Sequence, residues 1–184
     1  MNTRTHSLRR LGSLFLVSAL GTFLLLRPAT AVAGWRRQNA NAICRIVTNV
    51  PLPPDFAPLA PHEIRNPQPW NYLRLICPVV DINTGFEKAS FTSMSLAVTD
   101  NSTSLGAKVM TCVSFITMAG GTCGAESQTG AASTGPTTLA VTLGASSVFT
   151  AANASNFGYL VVNLPPKDFT TSAVSSFRGI YTTN

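Results

Sequence analysis

From Trp70 to the C-terminus the chain is written in strand-length runs whose apolar residues recur at every second position, each run closed by turn-forming residues. A helix needs its apolar residues at a spacing near 3.6, so this pattern excludes a helical bundle and commits the chain to sheets. Trp70 to Val80 sets Trp70, Tyr72, Arg74 and Ile76 on one face and Leu73, Leu75 and Cys77 on the other. Phe91 to Thr99 alternates Met94, Leu96 and Val98 with Ser93, Ser95 and Ala97, and Asp100-Asn101-Ser102 follows as turn chemistry. Ala107 to Met118 is expected as one long strand, ending at the Ala119-Gly120-Gly121 turn, with a weaker polar strand starting near Cys123. Gly135-Pro136 is expected as a break before the alternation of Leu139, Val141 and Leu143. A helical turn is expected around Val148 and Phe149, then the most apolar strand, Phe157 to Leu164, stopped by Pro165-Pro166, and a last strand from Val174 to Thr182. About seven short strands with little helical periodicity predict an all-β fold, an antiparallel β-sandwich, with a closed barrel as the alternative.

The first 33 residues read differently. Arg4, Arg9 and Arg10 precede an uncharged, mostly apolar run from Leu11 to Leu26, and small residues follow at Ala29-Thr30-Ala31-Val32-Ala33. That order predicts a cleavable signal peptide over 1–33, with cleavage after Ala33 and Ala29-Thr30-Ala31 as second choice. A membrane anchor is the rival, but a helix of this run would span roughly 24 Å against a hydrocarbon core of about 30 Å. Arg27 and Pro28 also end it abruptly, so no membrane span is expected in the mature chain. Arg9-Arg10 hints at a twin-arginine route, although Leu11-Gly12-Ser13 fits that signal poorly.

Cleavage would leave about 151 residues, enough for one domain with a sizeable core. Four of the 13 basic residues would leave with the signal, so nine Lys or Arg would face seven Asp or Glu. The nine are scattered, which is no footprint for nucleic acid. Residues 34–69 are expected as an N-terminal arm and proline-rich strap, and 70–184 as the β-sandwich domain. The strap carries seven prolines between Pro51 and Pro69, and each removes a backbone donor, so it is expected to run extended over the surface, covering a sheet edge or docking a partner.

All four cysteines, Cys44, Cys77, Cys112 and Cys123, lie in the expected mature chain. An even count in an exported chain predicts two disulfides, and four cysteines allow three connectivities. Cys44–Cys77 with Cys112–Cys123 is favoured: the first ties the arm to the first strong strand, the second joins two segments across a short turn. A zinc site lacks support, since there is no C-x-x-C pair and the mature chain holds one histidine, His62.

The run Ile76-Cys77-Pro78-Val79-Val80, the later strand ending at Cys112, and Tyr159-Leu160 with Leu164-Pro165-Pro166 resemble a group of small secreted bacterial β-sandwich proteins of unassigned function. The likeness covers roughly residues 70–184. It implies a fold and a location and no activity. That group tends to carry a cysteine just before its Leu-Pro-Pro, where this chain has Asn163, so the resemblance supplies no partner for Cys112.

Little chemistry is visible. A serine hydrolase needs a base beside its nucleophile, and the mature chain offers only His62-Glu63, in the strap, and no Gly-x-Ser-x-Gly elbow. The seven acids (Asp55, Glu63, Asp81, Glu87, Asp100, Glu126 and Asp168) are each expected in or beside a turn, with nothing to select a glycosidase pair or a calcium loop. No cofactor is implied. Trp70 and Tyr72 would share one strand face, and Trp35 lies on the arm; these three are the candidate sugar-stacking residues, unless they pack into the core or under the strap. Asn101-Ser102-Thr103 and Asn153-Ala154-Ser155 are glycosylation sequons in expected loops. The leading expectation is an exported, non-catalytic protein with a structural, adhesive or surface-binding role, its partners glycans or other envelope proteins. A carbohydrate-binding module is the alternative, and a secreted hydrolase stands third.

Overall fold

Alternation becomes burial in the four longest apolar runs. Met94, Leu96 and Val98 of one, Leu73, Leu75 and Cys77 of another, Val109 and Val113 of a third, and Leu160, Val162 and Leu164 of the fourth all point into one core. The computed structural model describes residues 35–47, 59, 60, 62–79, 88–130 and 134–184, with only the backbone of 35, 59 and 60. The expected signal segment and the strap residues 48–58 and 61 lie outside the described residues.

The elements are β1 (Trp35–Asn39), α1 (Ala40–Ile43), β2 (Arg45–Ile46), β3 (Leu59–Ala60), β4 (Glu63–Asn66), β5 (Leu73–Pro78), β6 (Ser93–Asp100), β7 (Lys108–Ser114), β8 (Gly121–Gln128), β9 (Gly135–Ala140), β10 (Phe157–Leu164) and β11 (Ser175–Thr183). One sheet, sheet A, has the order β3-β4-β11-β6-β9, with β1 also paired to β11; the other, sheet B, has the order β2-β5-β10-β7-β8. Every pairing is antiparallel, so the fold is an all-β sandwich. Among the described residues no helix is long and apolar enough to cross a membrane.

Among the described residues there are eleven strands where about seven were expected, because the arm and strap supply four. β1 and β4 lie end to end along one edge of β11: Trp35–Asn39 pair with 179–183 and Ile64–Asn66 with 175–177. Between them the chain turns at α1, where Asn39 Oδ1 accepts from the Asn41 amide, 2.9 Å, and then enters sheet B as β2. The short turn thus carries the chain from one sheet to the other. Ile64, buried between Pro61 and Pro67, shows that a proline-rich stretch can still hold a strand where its few residues between prolines keep their donors.

Several expected boundaries move. Trp70 and Tyr72 precede the strand, which starts at Leu73. β7 stops at Ser114, and Ile116 to Met118 form the β7–β8 loop. Gly135-Pro136 opens β9 rather than breaking the chain, which an edge strand permits because a proline there leaves no ladder donor missing in the sheet interior. Short 3-10 turns flank Val148 and Phe149, at Gly144–Ser146 and Ala151–Asn153, instead of enclosing them.

β11 also departs from strict alternation. Phe177 and Ile180 both face the core although three positions apart, because the pairing register with β6 shifts between Phe177 and Gly179. This bulge returns Ile180 to the inner face and turns Arg178 outward. Gly179 is required there: a Cβ would run into the Gln38 carbonyl of β1.

Cys44–Cys77 and Cys112–Cys123 are both formed, which places the domain in an oxidising, extracellular type of environment. They sit differently. Cys77 is fully buried in the core, with Cys44 packed against it. Cys112 is fully buried as well and pairs with Tyr159 and Cys123 across neighbouring strands, on the face opposite Val109 and Val113, but its partner Cys123 is exposed where Cys44 is half-buried. A mild reductant without denaturant is therefore expected to open Cys112–Cys123 first, read by alkylation and peptide mapping. Replacing each pair by alanines should cost about 4 kcal/mol for the 33-residue loop and about 3 kcal/mol for the 11-residue loop in urea unfolding.

Candidate binding site

Four connections cross between the sheets at one end of the sandwich, after β4, β6, β8 and β10. A loop that leaves its sheet also leaves its backbone partners, so the polar groups at this end need others. Three buried or nearly buried side chains supply them. Asn66, fully buried, donates through Nδ2 to the carbonyls of Asn71 (3.0 Å), Leu164 (2.9 Å) and Pro165 (2.8 Å), and its Oδ1 accepts from the Gln68 amide at 3.1 Å. Asp100, also fully buried, accepts from the Ser102 and Ala107 amides, each at 3.0 Å, and from the Thr129 hydroxyl. Asp168 accepts at Oδ1 from the Thr170 and Thr171 amides, each at 2.8 Å, and at Oδ2 from the Thr103 hydroxyl at 2.7 Å.

The loops are also joined to one another. The Lys167 amide donates to the Gln68 carbonyl at 2.7 Å, and Asn101 donates through Nδ2 to the Val174 carbonyl at 3.0 Å. On this fixed platform stand two aromatic rings. Trp70 is 75% exposed and Phe169 60% exposed, and their centroids are 4.2 Å apart with the planes tilted by 43°. Asn71, Thr170, Thr171 and Ser172 beside them are exposed and uncharged.

Of the three aromatics named from sequence, only Trp70 is placed here. Tyr72 is half-buried, its hydroxyl donates to the Gly106 carbonyl at 3.3 Å, and the Lys108 ammonium lies 6.0 Å from its ring centre. Burial pushes the Tyr72 hydroxyl above its ordinary value. Trp35 pairs through its backbone with Thr183, at the opposite end of β11; its side chain lies outside the description. Phe169 was missed, because a lone phenylalanine between Pro165-Pro166 and a threonine-rich turn has no periodicity to mark it.

The remaining sequence candidates are occupied elsewhere. His62 is an exposed turn residue, and the neighbouring Glu63 carboxylate binds Arg65 at 2.6 Å and the Ser176 hydroxyl at 2.8 Å. Glu63 opens β4 beside the His62 turn, Glu126 stands within β8 and not beside a turn, and Asp55, Asp81 and Glu87 lie outside the described residues. Both sequon asparagines use their amide as a donor, Asn101 to Val174 and Asn153 to the Val148 carbonyl at 3.0 Å. Asn163, where the resembling group has a cysteine, accepts from Arg74 at 3.2 Å instead. No known protein family, curated protein or solved structure matches the chain.

The Thr103 hydroxyl, then the Thr171 amide and those of Thr103 and Thr170, hold the Asp168 carboxyl well below the usual carboxylate range, against the opposing effect of burial. A carboxyl depressed in the folded state binds its proton first in the unfolded state, so its contribution is full above a pH of about 4 and is lost as pH falls below that. Asp168→Asn should therefore lower stability at neutral pH and make the acid limb of the stability curve shallower. Urea unfolding between pH 2 and 7 checks this, and parallel wild-type and variant curves would refute it.

Proposed function

We propose that this is an exported, non-catalytic surface-binding protein whose contact is made by the Trp70–Phe169 pair, stacking on the ring face of a neutral sugar at a cell or matrix surface. Export with cleavage after Ala33 rests on the three-part N-terminus, and the two disulfides agree with it. The likeness to small secreted bacterial sandwiches points the same way.

The observation that carries the binding reading is the exposure of two large rings on hydrogen-bonded loops. A tryptophan three-quarters in water gains little from hydrophobic burial, yet its loop is held by one of the most completely bonded side chains in the domain, Asn66. Loops that are held rigid while presenting an aromatic side chain lose little entropy on binding. The uncharged hydroxyl and amide groups around the pair suit sugar hydroxyls, while the Asp168 carboxylate is taken up by its own turn and by the Thr103 hydroxyl.

Protein exported from a host cell should begin at Gly34 by N-terminal sequencing. On an array of neutral glycans it should bind, and Trp70→Ala and Phe169→Ala should each weaken binding by about tenfold or more. Because both side chains are exposed, unfolding free energies should change by no more than about 0.5 kcal/mol. Absence of glycan binding, or binding indifferent to both substitutions, would overturn the assignment.

A further inference from the structure

The β11 bulge gives the outer face of sheet A a second feature. It turns Arg178 outward on one side of Gly179, while Tyr181, two residues beyond, is also outward and 40% exposed. The cross-strand register lays small residues next to them: Tyr181 opposes Ser95, which opposes Ala140, and Gly179 opposes Ala97, which opposes Thr138. Two larger side chains beside a low floor leave a cleft. Its volume is about 330 Å³, and its walls are Ala97, Pro136, Thr137, Thr138, Arg178 and Tyr181. The Arg37 guanidinium lies 5.3 Å from the centre of the Tyr181 ring, which steadies that wall.

The lining is chemically one-sided. It holds one guanidinium, one phenol ring and the outward hydroxyl of Thr138, and no carboxylate; Thr137, opposite the buried Val98, turns its side chain to the inner face. Arg65, on the same sheet, is committed to Glu63; Arg178 stands exposed. A forked guanidinium matches a carboxylate through two parallel hydrogen bonds, and an aromatic ring beside it accepts the C–H face of a pyranose. The volume is at the lower end of small-molecule sites, which span roughly 300–1,000 Å³, and fits a single ring better than a whole oligosaccharide.

We propose that this cleft binds a hexuronate unit of an acidic polysaccharide, its carboxylate on Arg178, its ring against Tyr181 and its hydroxyls within reach of Thr138. The site is separate from the Trp70–Phe169 contact and does not rest on it. It is absent from any reading of the sequence as strict alternation, since without the bulge Arg178 and Tyr181 would point to opposite faces.

The test is calorimetric titration of the mature protein with oligogalacturonate and with a neutral oligosaccharide of equal length, at low and raised salt. Oligogalacturonate should bind, and more weakly as salt rises. Arg178→Gln and Tyr181→Ser should each lower its affinity by about tenfold or more, with Arg178→Lys intermediate. Arg45→Gln removes the same charge from the edge of sheet B and should leave the affinity unchanged. Circular dichroism on each variant confirms the fold. No uronate binding, equal affinity for the neutral oligomer, or an equal loss in Arg45→Gln would overturn the proposal. Failure of the neutral-glycan contact is read separately, from Trp70→Ala on the array.

Discussion

β11 is a nine-residue strand between two layers of neighbours, and it needs backbone partners along both edges. One edge is served by β6. The other is served in two pieces by segments far away in sequence, β1 for its C-terminal half and β4 for its N-terminal half. The rest of the domain follows from this division. Because β1 ends where the pairing of β4 begins, the chain must leave sheet A after Asn39, and the single turn of α1 takes it to the edge of sheet B. There the Cys44–Cys77 bond fixes it into the core. The N-terminal segment is therefore a lace between the two layers and an integral part of the sandwich. Without it, sheet A would expose a long edge, the kind of edge that recruits other strands.

The same accounting governs the end of the sandwich where four connections cross. Regular pairing stops there, and buried polar side chains replace it one bond at a time. Asn66, Asp100 and Asp168 each bind groups from more than one loop or turn, so removal of any one leaves several acceptors or donors unpaired, at about 1–3 kcal/mol for each buried group. Such an arrangement is rigid for a reason other than packing. It explains how a surface loop can hold Trp70 and Phe169 in one geometry with both rings still in water.

How much of this could be read in advance depended on which force placed each residue. Wherever burial dominated, alternation was sufficient: β6 and β10 fall where their apolar residues alternate, and Cys77 and Cys112 lie on strands whose partners brought Cys44 and Cys123 to them. Where hydrogen bonds between distant segments dominated, the sequence was silent. Ile64 reads as a loop residue among prolines until β11 is seen to need a partner. Trp70 continues the alternation of β5 by spelling alone, but Asn66 bends the chain over residues 66–71 and keeps it out of the sheet. Asn101 and Asn153 look like exposed sequons and are structural donors. Phe169 and Arg178 carry no local signal, since one is set by a turn closed around Asp168 and the other by a register shift.

That register shift links the core to the outer surface. Phe177 and Ile180 must both be buried, yet they stand three apart, and a strand can satisfy both only by inserting a residue. The inserted residue has to leave the ladder and face solvent, and here it is an arginine. A hydrophobic requirement on one side of sheet A thereby determines where a cation sits on the other. Gly179 permits the close passage of β1 at that point, so β1 can pair right up to the bulge and carry Arg37 to the Tyr181 ring. The outer cleft consequently depends on the inner packing: a change that straightened β11 would turn Arg178 and Tyr181 to opposite faces and dismantle the cleft, while leaving the loops that hold Trp70 untouched.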